Sequence, residues 1–366
     1  MELQNFITEN KENKEYLNEF KKLKLYVRKY SLLNLALIKC YQNNNYDYDT
    51  YPWLRYCRGA IINIKTDRLV VIPPPKSIPI ESMEGLTTLL NENENEDCMV
   101  YQILEEGTMV NMFYHNDEWM ISTRSNIGCK NYWKEKITFK EMFEEVSGDV
   151  FNSSDLNKDH CYSFVLQHQK NKIVSPIYKN CILLVHEYDL IHQKYVKDST
   201  LTSEFIIHVT DLNYDHLLFY LNHNIDFKIK GFTIKCNDKR YSWLNPNYEY
   251  VLNLRMNHNH KLLDYIDLRQ KKLLTEYLKY FPEDIYLFNE YKNFIYLIKN
   301  KLYNSYVSFI IKKEIELKDV EYSLKPLLFE LHDYYKYSNQ KITFKIVNDY
   351  VFHLPGKKIL FIQKYL

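Results

Sequence analysis

Glycine is scarce in this chain, with 7 residues against 34 tyrosines in 366 positions. Asn, Lys and Ile recur throughout, which indicates an AT-rich coding genome, so the tyrosine abundance is not taken as a base-stacking surface. Paired cysteines are missing as well. Cys40, Cys57, Cys98, Cys129, Cys161, Cys181 and Cys236 are scattered, with no C-x-x-C and no Cys/His spacing suited to zinc. A reduced, intracellular protein is the simple expectation. Charge of one sign is not in excess either. Lys+Arg is 48 and Asp+Glu is 47, so a nucleic-acid partner would need a local basic face. Nowhere do about 18 apolar residues run together, and the start MELQNFITENKENKEYLNEF has no apolar core of a signal peptide. A soluble, cytoplasmic protein with no membrane partner is expected.

What is present is a change of pattern part-way along. Residues 12–30 carry apolar residues at helical spacing, and LLNLALIKCY (32–41) reads as a buried strand. To about residue 255 the pattern is mostly short strands rich in β-branched and aromatic residues: GAIINI, RLVVIP, MVYQIL, TMVNMFY, EWMIST, CYSFVL, KIVSPI, CILLVHEYDL and GFTIKC. Helical patterns interrupt them near 131–147 and 211–222. Strands in runs without intervening helices predict an α+β arrangement with antiparallel sheets. IPPPKSIP (72–79) is excluded from a sheet interior because its prolines lack amide donors. NENENED (91–97) is read as a solvated acidic loop, HNDEW (115–119) as a turn, and NHNH (257–260) as a loop rather than a metal site.

After Arg255 the apolar residues recur at i, i+3, i+4 through KLLDYIDLRQKKLLTEYLKYF, EDIYLFNEYKNFIYLIKNKLYNSYVSFIIKK, SLKPLLFELHDYYKY and KITFKIVNDYVFHL. Pro282 and Pro355 fall at expected helix ends, and Thr343 is placed to cap the last of these. At this length two domains are the default: a strand-rich one over 1–255 and a helical one over 256–366.

In the first part, CRGAIINIKTDRLVVIPPPKS places Arg58 and Gly59 at the mouth of a hairpin-like pair. LEEGT and ISTRSNIG follow. A carboxylate beside Gly and Thr, with two arginines nearby, suits a sugar and phosphates: carboxylates accept ribose hydroxyls and Arg forks bind phosphate. Either arginine alone is explained as well by a surface ion pair.

Order and spacing go further. RYCRGAIINIKTDRLVVIPPPKS, YQILEEGTMVNMFY with WMISTRSNIG, YSFVLQHQKNKIVSPI, KGFTIK and RYSWLNPNYEYVLNLRMN together resemble the covalent nucleotidyltransferases. The resemblance is to the phage-type RNA ligases, most of all the RNA-ligase-like proteins of large DNA viruses. SLKPLLFELHDYYKY with ITFKIVNDYVFHLPGKKILF resembles the helical tail of the viral relatives. The resemblance implies an antiparallel-sheet nucleotidyltransferase (ATP-grasp-like) domain followed by an all-α domain. It implies ATP-dependent chemistry in which a lysine attacks the α-phosphate, carboxylates hold metal or nucleotide, and two further lysines grip the α-phosphate.

Carried across residue by residue, the chemistry is not there. The nucleophile position is Leu104. The acid and glycine of that motif remain as Glu106 and Gly107, beside Thr108. Val165, ahead of Asn171, stands where a carboxylate is usual. Lys230 replaces a second carboxylate, with reversed charge, and Ser242 and Leu244 ahead of Tyr248 replace two lysines. Arg58, Gly59, Glu106, Gly107, Thr108, Thr123, Arg124, Lys235 and Arg240 remain as candidate nucleotide- or RNA-binding groups, and Lys76, Lys230 and Lys235 as candidate substitute cations.

Three readings follow. The first is a degenerate RNA-ligase-like viral protein that binds RNA, a nucleotide or a viral or host protein, with no cofactor and no metal. The second is an active ATP- and Mg-dependent RNA ligase with a relocated nucleophile, Lys230 or Lys76. The third is a structural subunit of a viral complex that uses the helical domain as contact surface. Lys299, Lys301, Lys312 and Lys313 would serve phosphate contacts only if they shared a face.

Overall fold

The computed structural model describes residues 2–41, 44–92, 99–132, 136–148, 156–197, 199, 201, 206–223, 225–236 and 239–366. The chain divides into two compact units, 1–249 and 250–366, with the division inside a helix, Pro246–Leu254.

Unit 1 is built on three sheets. The first has the order β1 (Tyr26–Tyr30), β2 (Leu35–Lys39), β3 (Arg58–Asn63), β4 (Arg68–Val71), antiparallel throughout. Its inner residues Leu37, Ile38, Ile61 and Val71 pack with Leu3, Ile7 and Phe20 from α1 (Glu2–Glu9) and α2 (Glu15–Lys22). The helical spacing expected through residue 30 therefore ends at Lys22. Lys24 adopts a left-handed backbone (φ 55°), which reverses the chain, and the aromatic and β-branched run that follows pairs as β1.

The second sheet has its central strands in the order β8 (Glu118–Thr123), β7 (Thr108–His115), β9 (His160–Gln167), β10 (Cys181–Asp189), with β11 (Lys194–Tyr195) antiparallel and β12 (Ile206–His208) parallel to β10. β9 lies inside the sheet and is buried along nearly its whole length, and its two faces serve different cores. Tyr162, Phe164 and Leu166 join Met142 and Phe143 of α4 (Phe139–Ser147). Val165, on the other face, joins Leu183 and Val209, as the period of two demands. α4 is nucleated by a capping box, Thr138 with Glu141.

The third sheet runs β13 (Asp211–Leu212), β6 (Met99–Ile103), β14 (Gly231–Cys236), β15 (Lys239–Leu244), β5 (Ile78–Pro79). β5 is the edge strand at the end of IPPPKSIP, where proline is tolerated. α3 (Met83–Glu92) and α5 (Tyr214–Asn222) cover this sheet through Leu86, Leu89 and Leu217. Of the acidic stretch 91–97, residues 93–97 lie outside the described residues.

One expected strand is absent. KIVSPI (172–177) follows a 3-10 turn (Gln169–Asn171) and makes no ladder. Pro176 cannot donate, and the amides of residues 173–175 are taken by a side chain described below. The turn at Asn116 and Asp117 is as expected, with both residues at positive φ.

Unit 2 is helical: α6 (Pro246–Leu254), α7 (Lys261–Gln270), α8 (Leu274–Tyr280), α9 (Ile285–Tyr306), α10 (Lys325–Ser338), α11 (Phe344–Phe352) and α12 (Gly356–Tyr365). α6 contains the division and its last residues belong to this unit. In α9, Phe288, Tyr291, Ile295, Ile298, Leu302 and Tyr306 are buried, three or four residues apart as one helix face requires. Within NHNH, His260 accepts from the Leu262 amide at 3.2 Å and so caps α7, and His258 pairs with Asp267 at 2.8 Å. No helix among the described residues is long and apolar enough to cross a membrane.

Candidate functional site

The LEEGT segment lies between β6 and β7 and touches two sheets. The Leu104 amide donates to the Gly231 carbonyl of β14 at 2.8 Å, and Thr108 pairs with Leu166 of β9. Gly107, between them, has φ +147°. A Cβ there would lie 2.5 Å from the Leu166 carbonyl oxygen and 2.6 Å from Val165 Cγ1. The glycine is required by this close approach of two strands.

Glu106 is buried. Its Oε1 accepts from the amides of Ile173 (3.1 Å), Val174 (2.9 Å) and Ser175 (3.3 Å), and Oε2 accepts from Ser175 at 3.1 Å. The carboxylate thus holds the 173–175 loop, which explains why KIVSPI forms no strand. Asn171 donates to Thr108 Oγ1 at 2.8 Å, and Gln167 donates to the Glu106 carbonyl at 3.0 Å and to Glu105 at 3.1 Å. Glu106, Gly107 and Thr108 are therefore brought together with Asn171 in a tied-down corner.

The cations converge from all three sheets. Lys39 of β2 stands opposite Arg58 of β3, and its Nζ donates to Ser125 Oγ at 2.7 Å. Gly59, at φ +104°, lets the backbone of Arg124 approach: a Cβ would lie 2.8 Å from Arg124 Cα. Arg124 Nη2 donates to the Cys40 carbonyl at 3.0 Å. The Lys76 amide donates to the Arg55 carbonyl at 2.7 Å, and its ammonium lies 4.2 Å from the Tyr48 ring centroid. Next to it, Ser77 Oγ accepts from Arg240 Nη1 at 2.6 Å. Arg240 of β15 faces Lys235 of β14 in register, and Lys235 Nζ donates to the Val185 carbonyl (3.2 Å) and the Tyr195 hydroxyl (3.0 Å). Lys230 Nζ donates to the Glu105 carbonyl at 3.3 Å.

These groups depress one another's proton affinity. Burial, then Arg124, pulls Arg58 down. Burial, then Arg58, pulls Arg240 down to about 10. Lys235 is brought to about 8 by burial and then by Arg240. Lys76 is lowered by burial and by Arg58. Lys39 is lowered by burial and by Arg124, and Lys230 by burial, with Arg240 and Arg58 adding to the effect and Glu106 and Glu105 opposing it. His186, buried beside Lys235 and Arg240, is pushed well below the usual histidine range.

Of the residues singled out from the sequence, the structure gathers Arg58, Lys76, Arg124, Lys230, Lys235 and Arg240. Thr123 is turned away: its hydroxyl is spent on Asn131 at 3.1 Å. Lys39 belongs to the group and was not legible beforehand. A lysine closing the apolar run LALIK, one residue before Cys40, was its only signal. Tyr195 was equally silent.

The positions the resemblance assigns to metal and nucleophile hold no donors for them. Val165 is buried in the Leu183/Val209 cluster, Lys230 is a cation, and both oxygens of Glu106 are engaged by amides. Among the described residues no group of three or more His, Cys, Asp or Glu side chains could hold a metal ion. The donor set does not fit a divalent cation. The helical-unit lysines are dispersed onto separate partners: Lys299 on Asn348, Lys301 on Glu321 and Lys312 on Glu314.

Neither a family model nor a curated protein matches the chain. Among solved structures, a putative ATP-dependent DNA ligase from Aquifex aeolicus is similar over 73% of this chain and 69% of its own, at 14% identity and a TM-score of 0.43. Naegleria gruberi RNA ligase with PPi is similar over 46% of this chain and 56% of its own, at 13% identity and a TM-score of 0.32. A mutant of the Naegleria gruberi RNA ligase with ATP and Mn is similar over the same shares, at 14% identity and a TM-score of 0.33. The chain spans little more than half the length of the Naegleria proteins it matches.

Proposed function

We propose that the chain is a degenerate RNA-ligase-like protein of viral origin, acting in the cytoplasm. In this reading it keeps the nucleotidyltransferase architecture without adenylyl transfer and binds RNA or a nucleotide in unit 1. The observation that carries this reading is the state of the LEEGT corner. Leu104 has no lone pair to attack phosphorus, and Glu106 spends its carboxylate on three backbone amides. Adenylyl transfer relies mainly on neutralising charge on the phosphoryl group in flight. Ligand binding needs only the cations, which persist. A protein partner is the remaining ligand class.

A second reading has one observation in its favour. Lys230 is lowered by burial, the property a lysine nucleophile needs, so an active ligase using Lys230 would require only that metal be held elsewhere.

Incubation with α-labelled ATP or GTP and a divalent metal, followed by a denaturing gel, separates the two. No labelled band is expected. An acid-labile AMP adduct overturns the degenerate reading, and its loss in Lys230→Ala or Lys76→Ala then identifies the nucleophile. Leu104→Lys is expected to remain unlabelled, because restoring a nucleophile does not restore the carboxylates.

A further inference from the structure

We propose that Cys40 and Cys57 form a redox-active thiol pair, which a peroxide converts reversibly into a disulfide across the end of the β2–β3 ladder. The pair concerns oxidation of unit 1 and is independent of the binding reading above.

The backbone brings the two residues together. β2 and β3 are antiparallel with Lys39 opposite Arg58, so the next step of the same register sets Cys40 opposite Cys57. The Cys40 amide donates to the Cys57 carbonyl at 2.8 Å. Opposite residues joined in this way stand about 5.5 Å apart at Cα, inside the roughly 4.4–6.8 Å that a disulfide spans. Both side chains enter the same core cluster, on one face of the ladder as opposite residues must. The Cys57 amide turns instead to the Leu54 carbonyl at 3.0 Å. The pair is thus only half-bonded at the ladder's end, which leaves slack for the sulfurs to meet. Other described cysteines in strands face different residue types: Cys161 lies opposite Phe113 and Tyr188, Cys181 opposite Gln167, and Cys236 opposite Met99 and Lys239.

The two thiols are not equivalent. Cys57 is fully buried, whereas Cys40 is 5% exposed and precedes the exposed Tyr41. Arg124 Nη2 donates to the Cys40 carbonyl at 3.0 Å, which sets a cation beside this residue and favours a thiolate there. The hydrogen bond from Cys57 lowers the Cys40 thiol most, with Arg124, Tyr48 and Lys76 adding to it and burial opposing. Burial, then Cys40, pushes the Cys57 thiol up. Cys40 therefore meets the oxidant first, and Cys57 resolves the product.

The chemistry closes with a peroxide as oxidant. The Cys40 sulfur attacks one peroxide oxygen; the S–O bond forms as the O–O bond breaks, and the departing hydroxide takes up the Cys40 proton as water. The Cys57 sulfur then attacks the sulfenic sulfur. The S–S bond forms, the S–O bond breaks, and the second hydroxide leaves with the Cys57 proton. Two thiols and one peroxide give one disulfide and two waters, and a dithiol reductant reverses the bridge by exchange. Such a bond closes the loop of residues 41–56, which carries Trp53 and Leu54 of the core, and fixes the carbonyl that anchors Arg124. In a reducing compartment it acts as a switch rather than a permanent staple.

The test is titration of the reduced, folded full chain with hydrogen peroxide, followed by alkylation of the remaining thiols, intact mass and peptide mapping. One equivalent is expected to remove two hydrogen atoms, protect Cys40 and Cys57 from alkylation, and yield a peptide pair linked through them that dithiothreitol separates. The oxidised chain should melt several degrees higher than the reduced one, because closing the loop restricts the unfolded chain. Cys57→Ser should stop at a sulfenic acid on Cys40 that dimedone traps, Cys40→Ser should give neither product, and Cys181→Ser should leave the bridge unchanged. Mapping of the unsubstituted chain decides the matter even if a variant folds poorly. A link between any other two cysteines, oxidation of Cys40 to the sulfinic acid with Cys57 still free, no reaction in the folded chain, or a bridge that lowers the melting temperature overturns the proposal.

Discussion

A methyl group at position 107 would meet the Leu166 carbonyl oxygen at 2.5 Å, and neither backbone can give way without breaking the Thr108–Leu166 pairing. Gly107→Ala is therefore expected to destabilise unit 1 by about 2–4 kcal/mol, overpacking and backbone strain together. The shift in urea midpoint measures it, and a loss below half a kcal/mol, roughly the scatter of surface substitutions, would show that the strands can part. The same residue shows what sequence can convey. E-G-T is legible as a motif, and its resemblance suggests a nucleotide pocket. Yet Gly107 answers to Val165 and Leu166 of a neighbouring strand, 58 and 59 positions on, and Glu106 to the amides of 173–175, 67 to 69 positions on, partners that no local pattern displays.

At the scale of elements, period and punctuation are read well where each element is locally determined. Thr343 caps α11, its Oγ1 accepting from the Ile346 amide at 3.4 Å. That length is at the weak end of hydrogen bonding, so Thr343→Ala should cost only about 0.5–1 kcal/mol, visible as a small loss in thermal stability that Thr343→Ser largely restores. The apolar periodicity of α9 and the β-branched and aromatic runs of β7 and β10 are equally plain. KIVSPI failed because β-branched residues favour a strand only when their amides are free to pair, and Glu106 had claimed them. The helical spacing runs on into β1 because a five-residue strand beside a helix continues its apolar pattern by chance. Only the left-handed Lys24 marks the break.

Over the whole molecule the formal charge is +1, which hides a concentrated field. Lys235 titrates near 8 in the fold, against an ordinary 10.5, because of burial and Arg240, with Asp211 opposing. Between those values the unfolded chain keeps a proton that the folded one has lost, so this group adds stability as pH rises from about 8 towards 10.5. Buried Cys129 and Cys161, pushed up by burial, act in the opposite sense, since the unfolded chain releases those protons first. The clean measurement is a comparison. Between pH 8 and 10 the native chain should gain stability relative to Lys235→Met, and parallel profiles would show that Lys235 is not depressed.

By itself the sequence determined the α+β class with antiparallel strands and the helical character beyond residue 255, and its resemblance to the RNA ligases set the expectation that Leu104, Val165, Lys230, Ser242 and Leu244 stand where adenylyl transfer would need other groups. Each is a property of residue type and short-range order, and so survives being read along a line. The tertiary structure alone decided which cations meet. Lys39 and Arg58 are 19 positions apart, and Arg58 and Arg240 are 182. Neighbouring strands of one sheet bring the first pair together and strands of separate sheets the second, and Coulomb interactions follow distance in space.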